Sequence, residues 1–339
     1  MEFIGLDGNF VRVKALRCTN IQWNRKYHEA GDFQLQLRTS DWDTSIAYIY
    51  TAQRPETGMV QKIEADHEQK GEFVLVSGLF LEGMLNWKIT HPKHSSTGNL
   101  SAACKALVTA HMADTSVAVA GEPDIGEETS FDSEHEKLGD ATYAALKKQG
   151  MGQRIQLDYL TGALWYSVWK GLDRTQNQTI NTFASFAQNF GNIDELTLTA
   201  DDSGMKNYAV VQYDNNGEEA YMELDLRAGS ESKRIQFIQS SVSKDEMTDP
   251  DYLAAIESDA RTQMQDYKAV VNLDAGVIQK NLRYRADYDL GDLCNVKDDR
   301  LRQSYETRIT EINEVWKGNE HTVNVQFGDK LPAAYRRGY

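Results

Sequence analysis

Cysteine is scarce: Cys18, Cys104 and Cys294 are the only three, widely spaced and odd in number. No Cys-x-x-Cys pair and no Cys/His ligand spacing occurs, which excludes a disulfide framework and argues against structural zinc. Reduced, buried thiols in a chain folded in a cytoplasm are the expectation. Proline is almost as rare, 5 residues in 339, so a Pro-rich or disordered protein is excluded. No apolar run approaches the roughly 18–20 residues of a membrane span. The opening MEFIGLDGNF has neither a basic nor an apolar leader region, so no secretory signal is expected. Positive charge is also short, with 36 Lys and Arg against 51 Asp and Glu and a net charge of −15. That excess repels phosphate backbones and anionic membranes, which makes nucleic acid and lipid poor ligands.

What is present is a globular composition, 40% hydrophobic, long enough for two or three domains. The first ninety residues read as an antiparallel meander. Phe3–Leu6 and Phe10–Val13 flank Asp7-Gly8, a tight-turn signal, and Phe33, Leu35 and Leu37 alternate on one strand face. Further strands are expected at 46–50, 60–65, 72–76 and 79–89. The segment 91–98 reads as a loop, Leu100–Met112 as a helix, and 121–136 as an acidic exposed insertion. A short helix is expected over 141–148 with Asp140 as cap and Gly150 as stop. Strands then return at 155–159, 163–169, 179–186 and 195–200. Asn215-Asn216-Gly217 is the strongest hairpin signal. Residues 248–267 form the clearest helix, capped at Thr248 or Asp249, with Leu253, Ile256, Ala260, Met264 and Tyr267 as its stripe. The remaining segments, 269–271, 282–285, 293–296, 309–315 and 323–327, read as strands. The fold class is therefore α+β and mostly β.

The sequence is poor in catalytic signatures. It has no phosphate-binding Gly-rich loop, no Gly-x-Ser-x-Gly elbow and no His-Glu-x-x-His. His91-x-x-His94 could supply two metal nitrogens, but Pro92 breaks any aligning helix and a solvated loop is the plainer reading. Asp287–Asp292 resembles a calcium loop, yet Gly291 takes the fifth position and Asp298 stands where a bidentate Glu belongs. The pairs Asp41/Asp43, Asp201/Asp202 and Glu311/Glu314 are the material for a polysaccharide or peptidoglycan hydrolase. Trp165 and Trp169 share a strand face and could stack on sugar in a binding or adhesion module. No catalytic residue, metal ligand or cofactor site is assigned.

A set of short motifs in fixed order carries more. Trp23, Tyr27, Gly31 and Phe33 open it, within Trp-Asn-Arg-Lys-Tyr-His-Glu-Ala-Gly-Asp-Phe. Gly171, Asp173 and Arg174 form a Gly-x-Asp-Arg element, and Asn192 follows Phe190-Gly191. Tyr288, Gly291 and Asp292 belong to a Tyr-x-x-Gly-Asp strand, before Arg308–Ile312 and Phe327-Gly328. This order, over roughly residues 20–330, resembles the tail-tip (baseplate) hub family of siphophages. That family is similar to the central hub of contractile-tail baseplates and to the N-terminal hub region of tail-associated lysins.

The resemblance implies two tube-like antiparallel β-barrel domains with a few packed helices, and a homotrimer that closes the distal end of the tail tube and opens for DNA. On that reading residues 1–90 with part of 250–339 form the first barrel region and 91–150 a helix-containing insertion with the acidic loop. Residues 151–247 form the second β domain, and 248–339 the long helix and closing strands. Implied partners are the chain itself, the distal tail ring, the tail tube, the tape-measure protein and receptor-binding or lysin proteins of the tip. DNA is met only in transit and no membrane is involved. The protein would be assembled in the host cytoplasm and reside in the virion. The eleven motif residues are expected to hold turns and strand ends, with no catalytic role.

Overall fold

The computed structural model describes residues 1–68, 71–244, 247–318 and 320–328. The end of the closing segment, 329–339, lies outside the described residues. The chain divides into a larger unit, Met1–Thr197 with Leu273–Gly328, and a smaller one whose described part is 198–244 and 247–272. The boundaries fall within the strands Ile193–Asp201 and Val270–Val277.

The larger unit is built on one long mixed sheet. The strands Ile193–Asp201, Val270–Val277, Glu320–Gly328, Gln303–Lys317, Cys18–Lys26, Asp32–Arg38, Gly71–Leu79 and Lys62–Glu68 lie side by side in that order. Leu293–Asp298 also pairs with Gln303–Lys317, and Ser185–Ala187 pairs parallel with it in turn. The fold is thus mostly β, as read from the sequence. Its sheets are open arrays, and no sheet closes into a barrel among the described residues. Alternation decides what is buried. Phe33, Leu35 and Leu37 face the core with Trp23, Val74, Val76 and Phe80, while the residues between them stay wetter. A second core gathers under two helices, α1 (Leu100–His111) and α2 (Leu138–Lys148), where Cys104, Leu107, Leu146, Ile155 and Tyr166 meet.

Local chemistry explains both helices and one misread cap. Asn99 caps α1, its Oδ1 accepting from the N–H groups of Ser101 and Ala102 at 3.0 and 3.3 Å. α2 begins earlier than Asp140, because buried Leu138 already belongs to its stripe; Lys137 occupies the cap position and makes no side-chain capping bond. Asp140 lies in the first turn, where it accepts from Asn86 Nδ2 at 2.7 Å and its N–H donates to Asn86 Oδ1 at 3.1 Å. Gly150 ends the segment at φ +64°.

Six other expectations are corrected. Residues 79–89 are not a strand: Leu81–Trp87 is a 3₁₀ helix burying Leu81, Met84 and Leu85 at helical spacing. The stretch 91–98 is not all loop, nor is 121–136 wholly an exposed insertion. His94–Asn99 pairs antiparallel with Glu128–Ser133 across α1, and Phe131 is buried in the core under the helices. Residues 179–184 are an irregular loop, with only Ser185–Ala187 extended. Residues 282–285 turn rather than extend, with Arg285 at φ +66°. In the first hairpin it is Phe10, at φ +62°, that turns the chain; Asp7 accepts from the N–H groups of Asn9 and Val11 at 2.8 and 2.9 Å.

The smaller unit is a three-stranded sheet, Glu218–Asp225, Tyr208–Asn215 and Ile235–Gln239, with helix α3 (Asp249–Gln263) on one face. Asn216 and Gly217 take φ +57° and +91°, which is what a two-residue hairpin turn demands. Thr248 caps α3 and Pro250 sits in its first turn. Tyr252, Ile256, Ala260 and Met264 form the buried stripe at four-residue spacing, and Leu253, expected there, is exposed.

Candidate functional site

Six of the eleven motif residues meet at one junction in the larger unit. Tyr27 follows the strand Cys18–Lys26 and is 1% exposed. Its hydroxyl donates toward the carbonyls of Gly150 and Trp169, 3.0 and 3.3 Å away, and accepts from the Gly171 N–H at 3.2 Å. Burial raises the pKa of this hydroxyl, which keeps it a donor. Trp169 meets the Tyr27 ring edge-on, centroids 4.8 Å apart. The same ring leaves no space for a side chain at Gly291, which stands at φ +85°. Gly171 is packed as tightly, because a Cβ there would overlap the Gly291 carbonyl.

Asp292, 3% exposed, joins the segments electrostatically. Its Oδ1 accepts from the Leu172 N–H at 2.8 Å, and its Oδ2 from Arg174 Nε at 2.6 Å and the Asp289 N–H at 2.9 Å. Backbone bonds between Arg174 and Leu293 (2.8 Å) and between Leu293 and Leu172 (2.9 Å) seat the loop beside that strand. Arg308 donates to the Gly291 carbonyl. Asp173 turns inward on its own loop, accepting from the N–H and hydroxyl of Thr175 at 2.9 and 2.8 Å. The loop closes where the Ala184 N–H meets the Arg174 carbonyl at 3.0 Å, and Gln178 braces it from inside through both ends of its amide.

Asn192 and Tyr288 stand one strand further on. Asn192 accepts from the Ala187 N–H at 3.0 Å and donates to the Ser185 carbonyl at 2.8 Å. That places Phe186 edge-on to the fully buried Tyr288, whose hydroxyl accepts from Gln279 at 2.8 Å. Trp23, Gly31 and Phe33 lie apart from the junction in an aromatic core with Phe80, 4.6 Å from Trp23 between ring centroids. A Cβ at Gly31 would press on Phe80 and the Asn24 carbonyl.

Sequence reasoning missed a buried charge network beside this junction. Arg25, 3% exposed, donates to Glu56 at 2.6 Å, to the Tyr284 hydroxyl at 2.6 Å and to Asp289 at 2.5 Å. Arg54 grips Glu314 bidentately, with 2.6 Å from Nε to Oε1, and stacks over Tyr284. His321 lies against Trp316 and reaches Glu314 at 3.2 Å. Burial works to raise the Glu314 pKa, but the bonds from Arg54 and His321 outweigh it and the net shift is downward. The signal was available: Arg25 sits between Trp23 and Tyr27 at strand period two, a charge on an inward face.

The other candidates resolve into ordinary structure. Glu314 is committed to Arg54, whereas Glu311 lines a shallow groove of about 300 Å³ with Glu195, Asp274 and Asn324, and no aromatic lines it. Asp43 accepts from Ser45, and Asp202 pairs with Arg234. Trp169 is engaged by Tyr27 and by Arg154, 5.4 Å from its ring, while Trp165 is 42% exposed. His91 stacks on His135. Within 287–292, Asp287 accepts from the Arg283 N–H, and Asp289 and Asp292 hold Arg25 and Arg174. Among the described residues no three His, Cys, Asp or Glu side chains converge on a metal position. Burial pushes the Cys104 thiol up to about 12, and Cys18 likewise, so neither is a ready nucleophile.

A braced meeting of distant backbone segments in an open β array holds strands and turns in place, and solved proteins share this arrangement. The tail protein from Neisseria meningitidis MC58 superposes with a TM-score of 0.63 at 12% identity, covering 97% of this chain and 96% of that one. Prophage tail protein gp18 from Listeria monocytogenes EGD-e gives 0.61 at 11% identity, covering 99% and 97%. The 43 kDa tail protein of prophage MuSo2 from Shewanella oneidensis gives 0.59 at 12%, covering 96% and 98%. No curated protein sequence matches the chain. The chain belongs to the Siphovirus ReqiPepy6 Gp37-like protein family, matched over residues 6–329. The family is one of siphovirus proteins, and the solved structures that share this fold are tail proteins.

Proposed function

We propose that this tail protein is the hub of the tail tip: three copies close the distal end of the tail tube and open for DNA. The observation that carries the reading is the end-to-end correspondence with solved tail proteins, two of them from prophages, spanning nearly all of both chains. The open sheet supports it, because among the described residues its outermost strands, Ile193–Asp201 and Lys62–Glu68, have a strand partner on one side only, and a neighbouring copy can use such an edge to close a ring. The junction residues Tyr27, Gly171, Asp173, Arg174, Gly291 and Asp292 serve as its brace, Asn192 and Tyr288 hold the strand beside it, and Trp23, Gly31 and Phe33 form its core. Partners are the distal tail ring, the tail tube, the tape-measure protein and receptor-binding or lysin proteins of the tip, with assembly in the host cytoplasm.

A trimer carries three times −15, or −45, formal charges. Acidic walls repel DNA phosphates and favour passage over binding. Ejection should slow when channel-facing acids are exchanged for Lys; unchanged ejection would remove the charge argument. Light scattering coupled to size exclusion tests the trimer. Three chains of 38.3 kDa give about 115 kDa, and a chain that remains at 38.3 kDa even when mixed with its tail neighbours would overturn the hub reading.

A further inference from the structure

The sheet of the smaller unit is apolar on both faces, and helix α3 covers one of them. Ala209, Val211, Leu224 and Ile238 pack under α3 against Tyr252, Ile256, Ala260 and Met264. Strand register puts a different set on the opposite face. Tyr208 stands between Asp225 and Ile235, Val210 between Glu223 and Phe237, and Gln212 between Tyr221 and Gln239. On this face Ile235, Phe237 and Tyr221 are 52%, 54% and 57% exposed. A sheet with large apolar side chains on both faces is normally covered on both, and an exposed apolar patch rimmed by polar groups marks an interaction site.

Charge on this face is segregated. On this face the edge strand Glu218–Asp225 carries Glu219, Glu223 and Asp225 and no base, whereas the opposite edge, Ile235–Gln239, carries no charge. The acids are held in place: Tyr208 donates its hydroxyl to Glu223, and Tyr221 to Glu219 at 3.2 Å. The nearby bases are engaged at one end, Arg227 with Asp225 and Lys233 at 3.7 Å over the Tyr208 ring. Residues 198–272 hold 15 acids against 7 bases. A second copy would bring the same acids to the contact and be repelled, so the complementary occupant is a different polypeptide.

We propose that this face docks another protein of the tail, one presenting an apolar ridge flanked by Lys and Arg. The proposal rests on the tail assignment but not on the hub or its trimer. The ridge would cover Ile235, Phe237 and Val210, with its bases against Glu219 and Glu223.

The test places a benzophenone amino acid at Phe237 in the full chain, within purified virions, and maps the adducts after irradiation. Phe237 is half exposed, so the core under α3 is undisturbed, and an unchanged melting temperature verifies this. The expected result is an adduct to a different tail polypeptide, at a segment with Lys or Arg within a few residues. Adding Glu219→Lys with Glu223→Lys should cut its yield at least about tenfold. An adduct to a second copy, no adduct in virions that contain the chain, or a yield indifferent to the charge reversal would each overturn the proposal. Virions lacking the chain altogether would overturn the tail assignment itself, a distinguishable failure.

Discussion

Replacing Arg25 by Met is the sharpest probe of the network beside the junction. The side chain is 3% exposed and reaches Glu56, Tyr284 and Asp289 at 2.6, 2.6 and 2.5 Å. Met has a similar volume, so loss of packing is minor and the electrostatic effect dominates. Glu56 suffers most. It is 9% exposed and its Oε2 already lacks a partner, so without Arg25 both oxygens are buried and unpaired. The Asp289 side chain, 40% exposed, recovers much of its loss from water. Breaking such a buried pair costs about 3–5 kcal/mol. At about 2 °C per kcal/mol for a unit of this size, the transition of the larger unit should fall by about 6–10 °C. The double variant Arg25→Met with Glu56→Met removes the orphaned charge and should regain more than half of that loss. Differential scanning calorimetry of both variants and the parent decides the matter. A single variant within about 2 °C of the parent, or a double variant as unstable as the single, would refute the reasoning.

Three further outcomes are expected. Burial pushes Glu82 up to about 8 from an ordinary 4.5, so between those values the folded chain holds a proton that the unfolded chain has released. Stability should therefore fall as pH rises from 4.5 to about 8, and Glu82→Gln should melt above the parent at pH 8 but level with it at pH 4.5; a gap independent of pH in melting curves would contradict this. Gly171→Ala drives a methyl into the Gly291 carbonyl and should cost about 2 kcal/mol or more, while Gly121→Ala, with open space around it, should be neutral. Equal urea midpoints for these two variants would remove the packing argument. Gly217→Ala, at φ +91°, should cost about 1–2 kcal/mol, read as faster amide exchange in the strands Tyr208–Asn215 and Glu218–Asp225; unchanged exchange would argue against strain at the turn.

Much of the smaller unit follows from neighbours in sequence. Asn216-Gly217 forms its turn because those residue types tolerate positive φ, and Thr248 with Pro250 starts α3 from the same short range. The alternation at Phe33, Leu35 and Leu37 likewise assigns one strand face to the core, and the order of short motifs is enough to indicate the tail family. Where an apolar run was short, periodicity could not separate a strand from a helical turn, and 79–89 went the other way once Leu81, Met84 and Leu85 found a common core. The junction is different in kind. Nothing near Gly171 announces Gly291, and nothing near Arg174 announces Asp292, 118 positions away. Trp23 stands opposite Glu314 only because the strand Cys18–Lys26 pairs with Gln303–Lys317. Dihedral preference and hydrophobic period act over a few residues and are written in the sequence locally. Which distant carboxylate balances a buried arginine, and which glycine must stay bare, is settled only when the sheet brings those segments into contact.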